Sequence, residues 1–415
     1  MYTLKDFLKE SKNVHMEHLW LEDLVFNEGV AGTRKAINFL QDLRNMLAGS
    51  SKTKVTATVK WDGAPAVFAG IDPRDGKFFV AKKGVFNKDP KVYKTVADIK
   101  ADTSGDLASK LTIALQEFSK LGIKSGVYQG DLMFTKADIA IKNIDGQKYV
   151  TFHPNTIVYA VPVGTELANK ILKAKIGVVW HTTYEGPTFE SMRASFGKGI
   201  INKLSSSASI WMDDATYKDY SGVATFTKQE TDKVTAILSE AGKLFKQIDA
   251  NVINSISKNE ELLMLIKTYN NARVKVGEKI TNPVQHVVGL YHWIQQKYNK
   301  EMNARKTDKG KQQWKEKMTN MNKFFAGHSR DAIANVFRLT NLLVDAKHMI
   351  INKMNAAGHI NTFLRTANGY KVTGVEGFVA VDKLSGGAVK LVNRMEFSKA
   401  NFSPDIIKGW EHWVI

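Results

Sequence analysis

Val55-Thr56-Ala57-Thr58-Val59-Lys60-Trp61-Asp62-Gly63 is the stretch on which the reading of this chain turns. Its first five residues alternate with a period of two and are rich in β-branched side chains, which predicts a half-buried strand. The strand delivers a lysine, a carboxylate two residues later and then a glycine. Residues two apart on an extended segment share a side, so Lys60 and Asp62 are expected to face the same way. Gly63 permits a tight turn or a close approach of the backbone to a ligand. A lysine held there becomes a covalent nucleophile when burial or neighbouring cations disfavour its ammonium form. The same residues also suit a plain surface ion pair before a turn, and the surrounding sequence has to decide.

Working outward, the strand period persists. Ala66-Val67-Phe68-Ala69 and Phe78-Phe79-Val80-Ala81 read as a hairpin joined through Pro73 to Gly76, followed at once by Lys82-Lys83-Gly84. Residues 106–121 predict an amphipathic helix, and 126–134 a strand that carries Asp131. Further strands are expected at 149–152, 156–161 and 177–180. Ahead of the lysine, residues 4–48 read as helices, the second opening after Gly32 with Thr33 as its N-cap. His15 and His18 have no third ligand beside them and read as ordinary helix polarity.

Beyond Gly186 the pattern turns helical, over 228–256, 259–276, 283–300, 311–325 and 330–356. Strand patterns return at 370–381 and 388–392. The simplest architecture is α+β: one discontinuous domain (1–185 and 370–415) with a helical insertion at 186–369.

Lys60-Trp61-Asp62-Gly63, Gly130-Asp131-Leu132, Val375-Glu376-Gly377-Phe378-Val379 and Val389-Lys390-Leu391 occur in this order, each on a strand pattern. The series resembles the covalent nucleotidyltransferase superfamily of ATP-dependent DNA ligases, RNA ligases and capping enzymes. The resemblance implies an antiparallel, β-rich, ATP-grasp-like ligase core, with ATP and Mg²⁺ as cofactors. It implies that Lys60 receives AMP, that Gly63 allows close approach, and that Asp62 positions the sugar or the lysine. It makes Asp131 and Glu376 the metal or ribose contacts and places Lys390 at the α-phosphate. Lys83-Gly84 is similar to the basic element after the first hairpin. Phe152 or Tyr159 would stack on the base. Ala64-Pro65-Ala66 departs from the pattern, which often has an arginine there, and Thr58 stands where an acid often precedes the lysine by two. Few residues follow Lys390, which leaves no room for the β-barrel of DNA ligases and capping enzymes and makes RNA ligases the nearer likeness. The chain is also similar to proteins of T4-like phages, whose setting would be the host cytoplasm.

The 415 residues carry 59 Lys and Arg against 41 Asp and Glu, a net charge of +18. That balance points to a polyanionic partner, nucleic acid first and an anionic membrane surface second. No apolar run approaches the roughly 20 residues that span a bilayer. Met1-Tyr2-Thr3-Leu4-Lys5-Asp6 lacks a signal-peptide pattern, and without cysteine there are no disulfides or thiolate metal sites. The expectation is a cytoplasmic protein with no membrane attachment. Residues 297–323 hold nine basic side chains against Glu301, Asp308 and Glu316, with Trp314 among them. The basic insertion is therefore the expected contact with RNA or nicked duplex, Trp314 serving as a stacking platform. His286 and His292 are expected to pack, and His181 to face the cleft. The resulting expectation is a polynucleotide ligase, more RNA-like than DNA-like. A catalytically inert nucleic-acid-binding protein, or a nucleotidyltransferase with a different acceptor, would use the same residues.

Overall fold

The computed structural model describes residues 19–50, 55–196, 199–218, 224–358, 360–382 and 388–409; His15, His18 and the expected helix over 4–18 lie outside them. Strands among the described residues fall into three sheets. The first orders β1 (Leu19–Trp20), β15 (Ala388–Leu391), β14 (Gly377–Asp382) and β2 (Val55–Lys60). Only β1, which runs parallel to β15, breaks its antiparallel pairing. The second orders β10 (Arg193–Phe196), β9 (Ile176–Glu185), β5 (Val127–Thr135), β3 (Ala66–Ile71) and β4 (Phe78–Ala81), with β11 (Ile210–Asp214) parallel along the first half of β9. The third orders β13 (Gly369–Val372), β12 (Asn361–Thr366), β8 (Ile157–Pro162), β7 (Gln147–Phe152) and β6 (Ala140–Ile144).

The alternation in β2 works as its sequence predicts. Val55 and Ala57 are buried with Phe378, Ala380, Val389 and Leu391 from the neighbouring strands, and this face packs on helices. Thr58, Lys60, Val379 and Lys390 fall on the opposite face, since Thr58 pairs with Val379 and Val379 with Lys390. The first and second sheets are stitched together at the far edge of β2. The Val59 amide donates to the Ala215 carbonyl and the Tyr217 amide to the Ala57 carbonyl, while Thr58 bridges Thr216.

Eleven α-helices occur among the described residues, six of them between β11 and β12. The chain is thus discontinuous: β12 pairs with β8 and β14 with β2 across the helical block. That block starts at Lys228 and ends at Asn355, well inside 186–369, because β10 and β11 belong to the second sheet and β12 to the third. Its hydrophobic core also takes in Leu24–Leu47, the helix before β2. Thr33 is no N-cap. Its hydroxyl donates to the Gly29 carbonyl inside that helix, and the break falls at Gly29, whose φ is 59°. The stripe over 228–256 is two helices, Lys228–Gln247 and Ala250–Lys258, the second capped by Asp249 accepting from the Asn251 amide.

Candidate active site

Lys60 is the last residue of β2, and Gly377, the first of β14, sits opposite it. The pairing sets Glu376 beside the lysine, and the Lys60 ammonium donates to a Glu376 carboxylate oxygen although the two lie 316 residues apart. Side-chain exposure is 28% for Lys60 and 15% for Glu376, so the pair faces a cleft rather than open solvent. Burial pushes the Glu376 carboxyl up to about 7; Asp62 and Asp131 add to the rise and Lys60 opposes it. Gly377 admits no side chain, because a Cβ there would meet the Leu391 carbonyl oxygen at 2.5 Å.

Gly63 brings the turn after the lysine down onto β5. A Cβ at this position would lie 2.5 Å from the Asp131 Cβ and 3.0 Å from the Leu132 carbonyl oxygen. The Ala64 amide then donates to that same carbonyl. Asp131 stands across β5 from Ala66 on one side and Val179 on the other. It is 24% exposed, with His181 Nε2 3.8 Å from its carboxylate. His181 therefore does face this region.

Asp62 departs from expectation. The strand ends at Lys60, so alternation does not extend to it. Its buried carboxylate turns to the loop before β8, accepting from Asn155 Nδ2 at 2.8 Å, the Thr156 amide at 2.7 Å and the Ile157 amide at 2.8 Å. Burial raises its pKa despite those bonds. Asp62 anchors the turn; Glu376, not Asp62, is the lysine's carboxylate. Phe152 and Tyr159 are also placed differently. They stack on each other at 5.3 Å, Trp61 covers Tyr159 at 5.2 Å, and both are buried. Tyr159 has no face left for a base. Its hydroxyl accepts from the Asp62 amide.

Lys390 shares the face of Lys60, and its ammonium lies 5.6 Å over the Trp20 ring, which also carries Arg394 at 5.0 Å. Nothing in the sequence around Trp20 signalled that neighbour. Lys83 is exposed just past β4, and no described contact joins it to Lys60 or Glu376. A cavity lies on the other side of β2 from the Lys60 side chain, lined by Val59, Trp61, Val375, Phe378, Thr216 and Asn355. Trp61 Nε1, Thr216 Oγ1 and Asn355 Oδ1 are buried there without a hydrogen-bond partner among the described residues.

The fold and the site define a mixed α/β protein with antiparallel sheets and a lysine–carboxylate centre. The chain belongs to a family of unknown function, DUF6267, whose model matches residues 13–405. No curated protein and no solved structure matches it. No helix among the described residues is long and apolar enough to cross a membrane.

Proposed function

We propose that the chain is an ATP- and Mg²⁺-dependent polynucleotide ligase that works through AMP carried on Lys60. The observation that carries this reading is the meeting of Lys60 and Asp131, from two strands, with Glu376, the residue just before a third. Lys60 Nζ attacks the α-phosphorus of ATP. The ammonium first gives up one proton to solvent. The free amine then forms an N–P bond, the bond from phosphorus to the pyrophosphate oxygen breaks and pyrophosphate leaves, and the second N–H proton passes to the Glu376 carboxylate that touches the nitrogen. Lys390, on the same face, is placed to meet the developing charge on the phosphate oxygens. The AMP then passes to the end of a polynucleotide, activating it for joining.

Asp131 and Glu376 offer hard oxygen donors, and no group of three metal-ligating side chains occurs among the described residues. Two carboxylates completed by phosphate oxygens suit Mg²⁺, which usually binds in that partial way. Bound there, Mg²⁺ would neutralise phosphate charge and polarise the α-phosphorus.

Incubation with α-labelled ATP and Mg²⁺, followed by denaturing electrophoresis, tests the reading. The protein should keep an acid-labile, alkali-stable label that Lys60→Ala lacks. Label retained by Lys60→Ala would move the nucleophile elsewhere. No label on the wild type would favour an inert binding protein.

A further inference from the structure

We propose that the helical hairpin formed by Pro283–Asn303 and Asp308–Asn322 grips a nucleic-acid duplex by its phosphate backbone alone, without stacking on bases. This deepens the ligase reading by naming the form of its substrate. The two helices pack on each other, joined by the short link 304–307. Of the nine cations between 297 and 323, only Arg305 and Lys317 meet carboxylates among the described residues, Glu301 at 2.9 Å and Glu261 at 3.8 Å. The other seven, Lys309, Lys311 and Lys315 on the outer helix among them, are exposed and have no such partner there. Surface cations are ordinarily matched by nearby acids. Here the excess is left to solvent, as a counterion-releasing phosphate contact requires.

The aromatic residues decide against a single strand. Proteins that hold single strands gain much of their affinity from bases stacked on exposed rings. On the hairpin the large rings are Tyr298, which is buried, and Tyr291, Trp293 and Trp314, which are half-buried against the core. Arg305 lies over the Trp314 ring at 5.5 Å, Lys317 at 4.8 Å, and Tyr298 packs edge-on at 5.5 Å. Trp314 is therefore no stacking platform, contrary to the expectation from sequence. A membrane surface fits no better. A helix lying on lipid presents an apolar face to it, whereas Trp314, Met318 and Met321 of the outer helix pack into the protein. What remains is charge without stacking or insertion, and a duplex offers the denser row of phosphates.

The test measures binding of the full chain to a fluorescent duplex and to one of its strands across a salt series. The duplex should bind more tightly, with log K falling linearly against log salt. A Lys309→Ala, Lys311→Ala, Lys315→Ala variant that melts like the wild type should lose about 0.9 of slope for each phosphate contact removed. An unchanged slope in the triple variant would overturn the proposal. So would a preference for the single strand with shallow salt dependence, or binding to anionic lipid vesicles in place of the duplex. Duplex binding without covalent labelling by ATP would sink the ligase reading and leave the grip standing.

Discussion

Glu376 shows how much one buried carboxyl can govern. In the folded chain burial raises this carboxyl to about 7, against 4.5 for an ordinary glutamate, so it can act as the proton-accepting carboxylate only from about neutral pH upwards. The folded state binds the extra proton between those values. The stability this contributes is fully present below pH 4.5 and is lost as pH rises through 7. Glu376→Gln cannot titrate, so its melting temperature should vary less across that window than the wild type's. It should also label at least about 10²-fold more slowly with ATP, the usual scale for one positioned electrostatic group. Wild-type labelling by Glu376→Gln would break the pairing of the lysine with this residue. Gly63→Ala tests the other side of the cleft. Its Cβ would press on the Asp131 Cβ and on the backbone of β5, which cannot swing away. A cost of about 1–3 kcal/mol in a denaturant titration is expected, with labelling reduced further than stability. Lys60 and Asp131 were legible because each stands on a strand with a clear period, and Glu376 because it directly precedes one. Asp62 was misread because the strand stops two residues short of it, and its partners, Asn155 and Thr156, lie in a loop without periodicity.

Among the elements, the helices from Lys228 to Asn355 were legible because a 3.6-residue stripe is written within each segment, whereas the short helices Val96–Asp102, Glu166–Lys173 and Arg394–Phe402 went unread. Their ends were less so. The break at Ile248 and Asp249 sits inside an unbroken apolar pattern, and only the capping bond of Asp249 marks it. Strands β10, β11 and β12 escaped the reading because a short strand is defined by the strand it pairs with. Ile210–Asp214 becomes one only beside Ile176–Trp180. Where a cap is explicit its weight can be measured. Thr227 opens Lys228–Gln247 with a reciprocal capping box to Glu230, whose carboxylate also reaches Lys353 at 3.0 Å. Thr227→Ala should cost about 1 kcal/mol in a urea titration, with labelling unaffected. A cost near zero would show that tertiary packing, not the cap, holds this helix end.

For the molecule as a whole, the sequence invites a helical insertion standing apart from a sheet domain, but the two share one core. Helix Leu24–Leu47 and the inner faces of β2, β14 and β15 bury their apolar residues with the helices from Lys228 to Asn355. A buried ion pair crosses the same boundary. Lys347, 1% exposed, donates two bonds to Glu22, 6% exposed, at 2.8 and 2.7 Å. Burial raises the Glu22 pKa, but Lys347 and Arg394 prevail and hold it below the ordinary range. Glu22→Gln would leave a lysine charge buried against a neutral partner. Such a loss typically costs about 3–5 kcal/mol, and replacing both partners with apolar residues should cost much less. Equal losses in the single and double variants, read by thermal melting, would show that the charges are not what matters there. No periodicity announces this contact, since its partners lie 325 residues apart.

The pairing of β2 with β14 also sets a schedule. The Lys60 strand leaves the ribosome before Gly377–Asp382, which must lie along it and comes more than three hundred residues later. At a synthesis rate of roughly 5–20 residues per second, that edge waits on the order of tens of seconds for its proper neighbour. An uncovered strand edge invites pairing with other chains. The alternating threonines of β2 keep one of its faces polar meanwhile, and the carboxylate that engages the lysine arrives only with the strand that closes the sheet. Any reactivity of Lys60 that depends on Glu376 thus begins only once the helical block has been made.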